Sequence, residues 1–141
     1  MRAPRISLLL LCVSTQALHL AAESITVRVL NAKSGKPMKG QIVEVLCENP
    51  PHSVPVISNT NKEGIATLVL PNIAIISLFV QDLSSIHLCS HPNFVLAKVL
   101  SQGVVGDNIC YPERKLVEST RASPGEVVIF VKTIAWWEGQ R

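Results

Sequence analysis

The chain has 141 residues, 13 of them basic and 10 acidic, and 48% of its side chains are apolar. That length suits one domain with a real core. The charge carries no Lys/Arg cluster with interleaved aromatics, which argues against a nucleic-acid partner, and no apolar run reaches the roughly 20 residues of a spanning helix.

The chain begins as a secretory signal does. Arg2 and Arg5 make a positive start, residues 6–13 are apolar but too few to cross a bilayer, and small residues permit cleavage after Ala17 or after Ala22. Cys12 follows Leu11 inside the apolar run, without the small residue before it that a lipoprotein site needs. Residues 1–22 are expected to leave as a signal peptide. Arg2 and Arg5 go with them, so the 13 basic residues fall to 11 against the same 10 acids. The expected compartment is secreted or periplasmic, where disulfides persist.

Residues 25–30 alternate, with Ile25, Val27 and Val29 on one face and Thr26 and Arg28 on the other. This is the pattern of a half-buried strand. A polar turn follows, in which Gly35 permits a tight reversal, Pro37 holds Lys36 extended, and Gly40 releases the chain again. Residues 41–48 then put Val43, Val45 and Cys47 on a core face, while Glu44 and Glu48 flank Leu46 on a face expected to be solvated. Pro50, Pro51 and Pro55 make 49–55 a loop. Residues 56–59 form a short strand, and 59–64 a turn with positive φ available at Gly64. The strands 65–70 and 72–80 are expected to pair as a hairpin around Pro71 and Asn72. The run 73–80 is apolar and β-branched, as a buried strand should be.

The Gly35-Lys36-Pro37 turn between two strands, with Asn61-Lys62-Glu63-Gly64 leading into residues 65–70, resembles a carboxypeptidase regulatory-like domain over about residues 24–82. The resemblance implies a prealbumin-like or carbohydrate-binding-like β-sandwich. Such domains usually accompany larger proteins, such as peptidases and outer-membrane receptors.

Beyond residue 82 the composition changes. Residues 84–92 read as a loop or edge segment. Val95, Leu96, Val99 and Leu100 recur at helical spacing, so a helix is expected over about 94–102, with Asn93 as its N-cap and Gly103 as its stop. A polar stretch leads to Ser123-Pro124-Gly125-Glu126 and a final strand over 127–134. Its parity puts Val127, Ile129 and Val131 on one face and Val128 and Phe130 on the other, which the helix is expected to cover. Residues 136–141 are a tail. The fold expected is mainly β: an antiparallel, Ig-like or prealbumin-like β-sandwich of about seven strands with one short inserted helix, forming a single domain over 23–135.

Three cysteines outlast the signal: Cys47, Cys89 and Cys110. Cys89 and Cys110 bracket the expected helix in polar surroundings, and their pairing closes a loop of about twenty residues, worth on the order of 3 kcal/mol. The alternative leaves all three thiols free. Cys47, on an apolar strand face, reads as a buried inert thiol. His87 and His91 flank Cys89 at strand spacing, which makes them candidate metal ligands. Against a metal stand the claim of the disulfide on Cys89 and the break at Pro92. Trp136 and Trp137 either close one end of the sandwich or expose an indole that stacks on a partner.

No Gly-x-Ser-x-Gly or phosphate loop occurs, and the acids show no paired spacing. The expectation is therefore a non-enzymatic module without a cofactor, in a binding or structural accessory role, with a protein or a carbohydrate as partner. Two other readings are a small periplasmic metal binder using His87 and His91 and a strand-donating assembly subunit.

Overall fold

The computed structural model describes residues 22–47, 54–81, 93–106 and 112–132. In chain order they form β1 (Glu23–Asn31), β2 (Ile42–Cys47), β3 (Val54–Asn59), β4 (Ile65–Leu70), β5 (Ile75–Gln81), β6 (Asn93–Val95), α1 (Leu96–Gln102), β7 (Val104–Gly106), α2 (Arg114–Ser119) and β8 (Glu126–Val131). The architecture is mainly β, with a first sheet ordered β4-β1-β8-β7 and a second ordered β3-β2-β5-β6. Ile25, Val27, Val29, Leu68 and Ile129 of the first sheet meet Val43, Val45, Cys47, Ile76 and Leu78 of the second in one apolar cluster. The two sheets thus face each other as a sandwich. The inner faces expected for β1, β2 and β8 are the observed ones.

Side-chain chemistry sets the turns. Asn31 Oδ1 accepts from the backbone N–H groups of Lys33 and Ser34, each at 3.0 Å. Asn61 Oδ1 does the same for Glu63 at 3.0 Å and Ile65 at 2.9 Å. Each asparagine replaces a missing backbone acceptor and so initiates its turn. Gly64 has the positive φ expected of it, at 72°.

The second sheet is antiparallel throughout. The first is mixed rather than antiparallel, because β8 runs parallel to both β1 and β7. Parallel neighbours need a long crossover, usually helical, and α2 lies on the connection from β7 to β8. The hairpin expected of residues 65–70 and 72–80 does not form. β4 pairs with β1 and β5 pairs with β2, so Pro71 to Ala74 carry the chain from one sheet to the other. Pro55 lies within β3 rather than in a loop, and β3 is an edge strand, where a missing N–H is tolerated.

The inserted helix is shorter than expected and sits elsewhere. Asn93 is not its N-cap: it belongs to β6, where its Oδ1 accepts from Ser77 Oγ at 2.7 Å, and Val95 precedes the helix without a side-chain cap. Leu96 and Val99 point into the main core instead of covering Val128 and Phe130. Two backbone bonds fix α1 there, Leu96 N–H to Ala74 O at 2.9 Å and Gly125 N–H to Val99 O at 2.8 Å. Gly103 ends the helix as expected, with φ 72°. A Cβ at this position would stand 2.2 Å from the carbonyl oxygen of Ser123, so only glycine fits.

The outer face of β8 is covered by a helix that sequence periodicity does not reveal. Leu116 and Val117 of α2, with Val105 and Ala122, pack on Leu30, Ala32, Val128 and Phe130 as a second apolar cluster.

Candidate binding face

Strand alternation fixes what the second sheet presents away from the core. With Val43, Val45 and Cys47 inside, β2 turns Ile42, Glu44 and Leu46 outward. With Ile76, Leu78 and Val80 inside, β5 turns Ile75, Ser77, Phe79 and Gln81 outward. Register then aligns these side chains into rows. Ile57 of β3 and Phe79 of β5 lie on either side of Glu44, and Ile75 stands opposite Val95 of β6.

The result is a largely apolar sheet face in which Ile42, Leu46, Ile57 and Phe79 surround Glu44, while Ile75 and Val95 lie beyond a polar row made by Ser77 and Asn93. Ile57 is 59% exposed, Val95 55% and Ile75 41%. Ile42, Leu46 and Phe79 are half-buried. None of the six belongs to either apolar cluster. Among the outward residues of β2, β3, β5 and β6 there is no lysine or arginine, and no ion pair joins Glu44 to a described residue. Beside the Val95 end lies an open depression of about 370 Å³, lined by Ile73, Ala74, Leu96 and Leu100 with Glu23 and Asn72 as its polar members.

The two outer faces therefore differ. The first sheet carries α2 on Val128 and Phe130, whereas among the described residues no helix lies on the corresponding face of the second. On sequence parity alone the Glu44 face is expected to be solvated. The signal that it is more than that was already present: Ile42 and Leu46 share the parity of Glu44, and the apolar run through residue 80 leaves Ile75 and Phe79 on the outward parity.

Cys47 is a free, buried thiol, and burial pushes its pKa up, so it is neither an activated nucleophile nor a ready ligand. The other singled-out residues, namely Cys89, Cys110, His87, His91, Trp136 and Trp137, lie outside the described residues, as does the signal segment before Ala22. Among the described residues no three His, Cys, Asp or Glu side chains converge as a metal site would require. No described helix is long and apolar enough to cross a membrane. The Gln41 side-chain oxygen is buried without a hydrogen-bond partner, although the Gln41 backbone N–H is bonded to Thr60 Oγ1 at 2.9 Å. Comparison of the chain with protein-family models, curated proteins and solved structures finds no match.

Proposed function

We propose that this chain is an exported, non-enzymatic β-sandwich module with a binding or structural accessory role, and that it binds through the outer face of the second sheet. The observation that carries this reading is the row Ile57, Glu44, Phe79 with Ile42 and Leu46 beside it, and Ile75 and Val95 exposed farther along the same face. Exposed apolar surface of this kind is a common place for a binding site. Export rests on the positive, apolar and small-residue segments of residues 1–22. The accessory role is supported by the resemblance of residues 24–82 to a carboxypeptidase regulatory-like domain. Strand donation is disfavoured because edge strands β3 and β4 lie against one another, while β6 and β7 are three residues each.

The test compares the exported chain with an Ile57→Asn, Ile75→Asn double variant as bait in the exported fraction. Both changes sit at exposed positions and should leave the thermal melt in place. Capture of a partner by the parent and its loss in the folded variant supports the reading. Equal capture by both sinks it, and so does an N-terminus still at Met1 on protein recovered only from inside the cell.

A further inference from the structure

Resting on that reading of the face, we propose that its occupant is an amphipathic helix of a partner protein carrying a lysine or arginine within its apolar stripe, with Glu44 as the residue that selects it. The molecule itself supplies the packing precedent. On the opposite side of the sandwich, α2 lays Leu116 and Val117 over Val128 and Phe130 of the first sheet. A helix on a sheet is the ordinary way to bury such a face. Four strands at about 4.8 Å spacing make the patch roughly 15–20 Å wide, matched by a helix of about ten residues at 1.5 Å rise.

Glu44 then sets the charge of the occupant. Anything that covers Ile42, Leu46 and Ile57 takes water away from the carboxylate at their centre. A buried carboxylate without a partner is heavily penalised, and no described residue provides that partner. The incoming surface must bring the cation. A second copy of this chain fits poorly, because face-to-face pairing about a two-fold axis brings two Glu44 carboxylates together. A carbohydrate fits less well than a helix, since sugar rings stack on flat aromatic faces and Phe79 is the face's single aromatic among the described residues.

The experiment titrates two labelled peptides, a leucine–lysine and a leucine–glutamate amphipathic helix of about 18 residues each, long enough to hold helix in water, against the purified exported chain. Fluorescence anisotropy should show the leucine–lysine helix binding and the leucine–glutamate helix not. Glu44→Gln should weaken the former about tenfold, the loss expected for a desolvated charge pair. The Ile57→Asn, Ile75→Asn variant should abolish it. Equal affinity for both peptides, no binding of either, or an unchanged dissociation constant in Glu44→Gln would overturn the charge selection. If the double apolar variant binds as well as the parent, the face reading itself fails. Sedimentation that reveals a dimer lost on Ile57→Asn would assign the face to a second copy and overturn the helix.

Discussion

Arg28 and Glu126 stand on neighbouring parallel strands with Nε and Oε1 2.8 Å apart. The pair is part of a clamp on the approach to β8. Arg28 Nη2 also donates to the carbonyl of Arg121 at 2.6 Å, and Glu126 Oε2 accepts from the Ser123 N–H at 2.9 Å. Two side chains thus hold the loop before β8 against β1, at the point where a parallel register has to be chosen.

Both side chains are partly exposed, 29% and 15%, so the coupling is modest. A double-mutant cycle with Arg28→Met and Glu126→Gln is expected to give about 1 kcal/mol. Urea midpoints of the four proteins measure it. A coupling of zero would mean that the clamp contributes nothing beyond its backbone contacts.

The register of β2 makes a sharper contrast. Val45 is fully buried between the sheets, while Glu44 beside it faces outward. Val45→Asp places an unpaired charge in the core and should cost about 3 kcal/mol or more. Glu44→Lys should stay within about 1 kcal/mol. Similar denaturant midpoints for the two would show the strand slipped by one residue.

The second apolar cluster predicts that β8 is indispensable. Phe130→Ala opens a cavity under α2 and should destabilise by about 3–5 kcal/mol, and Leu116→Ala, at a half-buried position, by less. Truncation after Ser123 removes the strand that joins β1 to β7 and should abolish cooperative melting. A soluble truncated chain with a sharp melt would require the first sheet to close without β8.

Cys47 gives the pH dependence. Its thiol is raised in the folded chain by desolvation, so the folded form holds its proton where the unfolded form has lost it. The unfolded chain then binds fewer protons and stability falls as pH rises. The contribution is intact below the unfolded thiol's value and is lost as pH climbs from there through the folded one. Between about pH 7 and about pH 10, the parent should lose more stability than Cys47→Val does. Parallel losses in the two proteins would show that the thiol is not desolvated. Thiol reagents should leave Cys47 unmodified until the protein unfolds.

Local pattern was enough for much of this protein. The two-residue period of Ile25, Val27 and Val29, and of Val43, Val45 and Cys47, names the core because successive side chains on a strand must point to opposite faces. The same parity sorted Val127, Ile129 and Val131 from Val128 and Phe130. Gly64 and Gly103 were legible because only glycine takes positive φ without strain.

Pairing between distant segments was not legible. Whether residues 65–70 and 75–81 share a sheet depends on which neighbours offer them a ladder, and β1 and β2 claimed one each. Helix α2 has just two apolar residues, Leu116 and Val117, adjacent in sequence and without helical period. It is held by the surface beneath it, so it exists only once β8 and β1 are side by side. The candidate face is of the same kind. Ile42, Leu46 and Glu44 share a strand parity, and Ile57, Phe79, Ile75 and Val95 come from three other strands. Only the register of the second sheet sets Ile57 and Phe79 on either side of Glu44 and Ile75 opposite Val95, because side chains far apart in sequence become neighbours through the ladder alone.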